Sequence, residues 1–341
     1  MAYPGGLFHN RRMSTRLTVI IPNRNGSAFI AICLKALFSA GHQPFEVVVV
    51  DDCSTDNSVE IINKFPCRLL RLDKPGGASK ARNTGARNSL GNALFFIDMD
   101  CVVQDDTILH AIKAYDKNRD LVIGGTYTPI AFDDTFFSTF QSIFINYSEL
   151  RAVEPDYIAG HAMVIGRDIF EKSGGFPEDF MPVIEDVEFS HRLKRSGQRL
   201  IMDSSILVRH IFNYDLRKSL RNAFKKSKYW IAYSLGNRDL TADSGTASVE
   251  LKFNVLCSSL VWFFFLCLTI APDTFFLAGM ILVFIFNLAV NRSLIRAFFR
   301  EKGSAFGLKA TLYYSLVYPL SVAAGGAAGM AYYFHSQRKA A

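Results

Sequence analysis

The chain has 341 residues, half of them hydrophobic and 30 of them Phe, with a formal net charge of +7. That composition is too apolar for one soluble domain. Its cysteines, Cys33, Cys53, Cys67, Cys101, Cys257 and Cys267, are scattered without a Cys-x-x-Cys spacing, so nothing suggests zinc or a disulfide framework and reduced thiols are the simplest reading. The first stretch, Met1 to Arg16, is polar and basic without an apolar centre, so no cleavable signal peptide is expected there. Leu17 to Ile21 then reads as a short strand, ended by Pro22-Asn23-Arg24-Asn25-Gly26 and followed by a helical pattern through Ser39. Phe45 to Val50 is a nearly continuous β-branched run, the composition of a strand buried on both faces. It stops at Asp51-Asp52-Cys53-Ser54-Thr55-Asp56, where Ser54 or Thr55 is expected to cap the next helix.

Cys67 to Leu72 reads as a further strand, and Lys74-Pro75-Gly76-Gly77 as a Gly-rich turn opening a basic helix. Phe95-Phe96-Ile97 is a short apolar strand that delivers two carboxylates, Asp98 and Asp100, at its tip. Alternating strands and helices predict an α/β fold with a parallel sheet covered on both faces. Further on, Ile158 to Met163 is a small-residue approach to another strand, Pro182-Val183-Ile184 leads a loop into a helix opened by Glu185-Asp186, and Ile206 to Val208 is a strand followed by Arg209-His210.

From Leu216 to Leu235 the pattern is an amphipathic helix. Leu216, Leu220, Ala223, Phe224, Trp230 and Ile231 share one face, and Arg217, Lys218, Arg221, Lys225, Lys226 and Lys228 cover the rest, which suits a helix lying against anionic lipid rather than nucleic acid. Asn254 to Ile270 and Thr274 to Val290 are apolar runs near the roughly 17–25 residues that span a bilayer. Leu312 to Phe334 is a third candidate. Its Gly325-x-x-x-Gly329 spacing could pack helices closely or pair two copies of the chain as a homo-oligomer. The loop between the second and third runs is rich in Lys and Arg, whereas Ala271-Pro272-Asp273 has none, so the positive-inside rule places residues 291–310 and the N-terminal domain in the cytoplasm. The organisation expected is a polar tail at 1–15, a catalytic domain at 16–212, interfacial helices at 213–252, two to three spans within 253–335 and a tail at 336–341, as a multi-pass protein of the plasma (inner) membrane.

In an open α/β sheet, ligands bind outside the carboxyl ends of the strands. Asp98-x-Asp100 at such a tip suits a hard divalent cation shared with substrate phosphates. Asp51 or Asp52 can accept hydrogen bonds from a base or ribose, and Lys80 and Arg82 add positive charge near the Gly76-Gly77 turn. Together these groups suit a nucleoside diphosphate.

The ordered set Ile21-Pro22-Asn23-Arg24-Asn25, Val49-Val50-Asp51-Asp52-Cys53-Ser54-Thr55-Asp56, Gly85-Ala86-Arg87-Asn88, Asp98-Met99-Asp100, Gly174-Gly175-Phe176 and Glu185-Asp186 resembles glycosyltransferase family 2, in its membrane-anchored bacterial type, over roughly residues 16–210. The resemblance implies a GT-A fold and an inverting, metal-dependent transfer of a hexose from a UDP- or GDP-sugar with Mg²⁺ or Mn²⁺. It implies that Pro22, Asn25, Asp51, Asp52, Lys80, Arg82 and Asp98 lie on the donor side, and that Asp98 and Asp100, with His210 as a late addition, hold the metal. Asp186 matches the family's base, with Glu185 in reserve, and an inverting transfer does need a carboxylate to take the acceptor's proton. Glu188 departs from the family, which more often shows Asp there. Gly160 and His161 fall on the acceptor side. Processive polysaccharide synthases of the family show Gln-x-x-Arg-Trp where this chain has Lys226-Ser227-Lys228-Tyr229-Trp230, so a single transfer to a membrane lipid or lipid-linked acceptor, of the kind used for cell-envelope glycans, is expected. The alternatives are a processive synthase and a catalytically inactive membrane scaffold.

Overall fold

A computed structural model describes residues 16–44 and 46–340; the predicted tail at 1–15 lies outside the described residues. The chain runs β1 (Leu17–Asn23), α1 (Ile30–Ser39), β2 (Glu46–Asp51), α2 (Ser58–Ile62), β3 (Arg68–Arg71), α3 (Gly77–Asn88), β4 (Ala93–Ile97), β5 (Cys101–Val103), α4 (Thr107–Lys117), β6 (Val122–Tyr127), α5 (Phe136–Leu150), β7 (Ala162–Gly166), α6 (Arg167–Lys172), α7 (Glu185–Arg195) and β8 (Leu200–His210). These strands form one sheet in the order β3-β2-β1-β4-β7-β6-β8-β5. Successive strand residues point to opposite faces, and here both faces are covered. Val19, Ile21, Val49 and Phe95 pack with Leu34 and Leu37 of α1 on one side, while Ile20, Leu94 and Phe96 meet Phe170, Phe176 and Phe189 on the other. That two-sided burial is why the strands read as continuous apolar runs.

The expected parallel sheet holds for β1 to β4 and again between β6 and β8, but β7 and β5 run against their neighbours. β7 runs antiparallel to both β4 and β6. The segment carrying α5 leaves β6 and enters β7 at the same end of the sheet, so no crossover is made and the direction must reverse. The expected cap is also different. α2 starts only at Ser58, Ser54 Oγ donates to Asp51 Oδ1 at 2.5 Å, and Ser58 Oγ donates to Asp56 Oδ1 at 2.5 Å.

The remaining helices are α8 (Leu216–Asn237), α9 (Val249–Ile270), α10 (Thr274–Val290), α11 (Arg292–Leu312, kinked where Gly303 has φ 76°) and, after a π-helical turn at Tyr313–Val317, α12 (Tyr318–Ala340). Among the described residues α9 alone is long and apolar enough to cross a membrane unaided. α10 qualifies only jointly with Arg292–Arg338, across a 69° bend. The two to three separate spans expected from sequence are thus one, or two if the bent pair counts.

The third run is not a straight helix and lies along α8. A Cβ on Gly325 would fall 2.4 Å from the Phe224 carbonyl oxygen, and one on Gly329 would fall 2.4 Å from that of Lys228. Ser227 Oγ donates to the Val322 carbonyl at 2.8 Å, and Ser321 Oγ to the Leu220 carbonyl at 2.7 Å. The Gly-x-x-x-Gly stripe therefore joins α12 to α8 within the chain, and it is not available to pair two copies.

Candidate active site

Strand register assembles the site. Ile97 pairs with Ala162, so Asp98, just past β4, meets Gly160 and His161, just before β7. Cys101 pairs with His210, which brings the imidazole to Asp100, Nε2 to Oδ1 at 3.6 Å. The first turn of α7 supplies Glu185 and Asp186. Buried Arg82, from α3, ties the two sides together. Its Nη2 donates to Asp98 Oδ1 at 2.7 Å and its Nη1 to Glu185 Oε1 at 2.9 Å, with the guanidinium 5.3 Å over the Phe176 ring. Gly160 makes room for it, because a Cβ there would sit 3.0 Å from Arg82 Cζ. The Gly160 N–H donates to Asp186 Oδ2 at 3.0 Å, and the Val187 N–H donates to Oδ1 at 2.9 Å. Just before α7, Val183 takes φ 69°, a region costly for a β-branched residue.

The site holds its charges in different states. Burial, then the neighbouring Glu185, pushes the Asp186 carboxyl up to about 6. Burial and the Asp98 charge push Asp100 up to about 7. Burial also acts on Asp98, but the Arg82 guanidinium outweighs it and holds that carboxyl below its usual range. Burial drives the His210 imidazole down to about 3, which keeps it neutral, the form that ligates a metal. Ligand atoms of Asp100, Cys101 and His210 lie within 4.8 Å of one another, and His210 Nδ1 is buried without a hydrogen-bond partner. Burial pushes the Cys101 thiol well up, so it stays protonated. Asp100 and His210, with Asp98 adjoining, are a donor set that fits a divalent cation, and the imidazole suits Mn²⁺ better than Mg²⁺.

Asp98, Arg82, Glu185, Asp186, Gly160, His161 and His210 all line one cavity of about 940 Å³. Pro22, Asn25, Asp51, Asp52 and Lys80 do not line it; they gather at the neighbouring tips of β1 and β2 and the start of α3. Asp51 is fully buried and accepts from Asn23 Nδ2 at 2.8 Å. Asp52 fastens the glycine turn, accepting from the N–H of Gly76 at 2.6 Å and of Gly77 at 3.0 Å, where Gly77 has φ 78°. Asn25 Oδ1 accepts from the Thr55 N–H at 2.8 Å, and the Lys80 stem packs over Gly76. His161 is stacked on Tyr127, with ring centroids 3.9 Å apart. The cavity is also lined by Gln141 and Glu149 of α5 and Lys226 and Trp230 of α8. Sequence reasoning missed the α5 pair, which carries no motif; Lys226 and Trp230 were placed on opposite faces of an interfacial helix.

Residues 18–174 match the family model described as glycosyl transferase family 2. They are a glycosyltransferase family 2 domain. Glycosyltransferase GlyG of Streptococcus pneumoniae is 30% identical over 37% of this chain and 44% of its own length. An uncharacterised glycosyltransferase of Haemophilus influenzae is 30% identical over 52% of this chain and 61% of its own length. The chain thus spans less than two thirds of either relative. Among solved structures, the mannosyltransferase PcManGT from Pyrobaculum calidifontis, in complex with GDP-Man and Mn²⁺, superposes with TM-score 0.56 at 18% identity, covering 94% of this chain and 88% of that one. The mixed sheet of the family 2 domain is accordingly a GT-A fold.

Proposed function

We propose that the protein transfers a hexose, with inversion, from a UDP- or GDP-sugar to a hydroxyl of a membrane lipid or lipid-linked acceptor at the cytoplasmic face. The observation that carries this reading is the extent of the cavity. It begins at Asp98, Glu185, Asp186 and His210 and continues between Ala223, Trp230 and Ile231 of α8, Val255 of α9 and Val322 of α12. Its lining includes the exposed Leu240, Phe253 and Met330, apolar side chains that continue into the outward face of α9. An acceptor with an apolar tail can lie there while its head reaches Asp186.

Asp186 is the group to take the acceptor's proton. Its two backbone hydrogen bonds fix its direction, and a carboxyl raised to about 6 is ionised at neutral pH yet more basic than an ordinary one. Glu185 is a poorer candidate because Arg82 occupies it. Asp100 and His210, with Asp98, would hold the divalent cation, whose charge when bound neutralises the leaving diphosphate. A protein of the same fold carries GDP-Man and Mn²⁺, which supports the donor class. The apolar length of α9 supports a membrane location.

The test is a donor screen on protein in lipid with Mn²⁺ or Mg²⁺, scoring nucleoside diphosphate released from a panel of nucleotide sugars, beside Asp100→Ala. Metal-dependent release from one donor, enhanced by lipid extract and lost in the variant, is the expected result. Silence across the panel, with no donor-induced thermal shift, would sink the transferase reading and favour an inactive scaffold.

A further inference from the structure

The cavity holds a second polar group that the chemistry at Asp186 leaves unused. Gln141 and Glu149 of α5 face into it, with Phe144 and Ile145 between them, and eight residues of helix put the two ends about 12 Å apart. Glu149 is 8% exposed and accepts from Thr126 Oγ1 at 2.6 Å. The one ion-pair partner the described residues give it is His161, with Nε2 3.5 Å away and no hydrogen-bond geometry. Two atoms of residues lining this cavity, His161 Nε2 before β7 and Gln141 Oε1 on α5, are buried without a hydrogen-bond partner, and their residues are 7% and 2% exposed. Buried polar atoms are nearly always satisfied. Unpartnered atoms on two walls of one cavity point to a ligand that satisfies both.

We infer that Glu149, His161 and Gln141 bind a neutral, hydroxyl-bearing head of the acceptor, a sugar or polyol, and exclude a phosphate from this part of the cavity. The word acceptor rests on the transferase reading; the binding chemistry does not. A hydroxyl donates to the Glu149 carboxylate or to Gln141 Oε1 and accepts or donates at His161, according to the tautomer. A phosphate would bring its charge against a buried carboxylate with no Lys or Arg in contact, in surroundings where repulsion is strong. Lys226 and Lys252 also line the cavity, but from α8 and α9, so an anion has better positions away from α5. The apolar stretch at Phe144 and Ile145 gives the pyranose faces of a sugar a surface to rest on.

The chain has two tryptophans, and Trp230 lines this cavity. Trp262→Phe therefore leaves Trp230 as a local reporter. With that variant in nanodiscs, octyl β-glucoside and octyl phosphate, both below their micelle concentrations, are titrated against Trp230 fluorescence. The glucoside is expected to give a saturable change and to bind at least tenfold more tightly than the phosphate. Adding Glu149→Gln should narrow that gap at least tenfold by admitting the phosphate, and adding Gln141→Leu should weaken the glucoside severalfold while leaving the phosphate unchanged. Equal or tighter binding of octyl phosphate before either change, or an unaltered preference after Glu149→Gln, would overturn the inference. Nucleoside diphosphate binding with Mn²⁺, measured on the same samples, reports that the variants are folded. If glucoside selectivity holds while no nucleotide binds, the transferase reading fails and this site stands; nucleotide binding without that selectivity fails the site alone.

Discussion

Gly160 serves two neighbours at once, through an N–H that orients Asp186 and a missing Cβ that leaves Arg82 its place between Asp98 and Glu185. Gly160→Ala puts a methyl 3.0 Å from the guanidinium carbon, so either the loop or Arg82 must shift. The give needed is a few tenths of an ångström, and misplacing a catalytic group by about 1 Å costs on the order of 100-fold, so the loss should be smaller than that. The expected outcome is a kcat loss of about tenfold or less with nucleotide affinity kept, read from steady-state kinetics beside calorimetric titration of the nucleoside diphosphate. Asp186 carries a separate expectation. Its carboxyl rises from 3.8 to about 6, so the proton that disables a base is bound below that pH and lost above it. A kcat/KM profile should climb tenfold per pH unit up to about 6 and then level. Asp186→Asn should remove roughly 10²- to 10⁴-fold of kcat at neutral pH, and a profile unchanged in that variant would assign the limb to another group.

At the scale of elements, α8 and α12 meet along glycines, and their spacing makes the contact testable with a built-in control. Valine at Gly325 or Gly329 would drive a side chain into the Phe224 or Lys228 carbonyl, and overpacking of this kind costs about 1–3 kcal/mol. Gly326 faces the same helix with nearest atoms at 3.7 and 3.8 Å. There, alanine should be neutral or raise stability by up to about 1 kcal/mol, since glycine is a poor helix former. Thermal melts of the three variants decide it, and equal losses at all three would mean that α12 does not rest on α8 as described. The sequence showed the close packing through Gly325-x-x-x-Gly329 but not the partner, because spacing carries no address. The strand tips were legible for the opposite reason: runs such as Val47 to Val50 are buried on both faces and leave little room for another element. The direction of β7 was not legible, since a five-residue apolar strand reads the same either way. Glu149 and Gln141 were also hidden, because on a single helix a polar residue facing a cavity is indistinguishable from one facing solvent.

Across the whole molecule, polar and apolar groups trade places between the two halves. In the family 2 domain the apolar side chains point in. The α9–α10 hairpin buries a chain of amides: Asn254 Nδ2 donates to the Tyr314 carbonyl at 2.8 Å, Asn287 Nδ2 to Asn254 Oδ1 at 2.8 Å, and Asn291 Nδ2 to Asn287 Oδ1 at 2.8 Å. Large apolar residues such as Leu256, Phe263, Ile270, Phe275 and Leu282 point outward and are more than half exposed. Exposed large apolar side chains gathered on one hairpin mark an interaction surface, and lipid is the cover we propose for it, since helices that hydrogen-bond internally while presenting apolar side chains suit lipid. Leu312 to Phe334 also reads as a candidate span from sequence, but its Gly325 and Gly329 fit against α8. Length and composition cannot separate a helix covered by lipid from one covered by protein. Substitution on the outward face can. Leu260 and Phe263 are 38% and 56% exposed on α9, and a lysine at the centre of a spanning helix costs about 2.5–3.5 kcal/mol. Leu260→Lys with Phe263→Lys should therefore release the chain from membranes in flotation and alkaline extraction while leaving nucleoside diphosphate affinity unchanged. Full retention in the membrane fraction would mean that α9 does not meet lipid. Release together with lost nucleotide affinity would mean that the same face is needed to fold the domain.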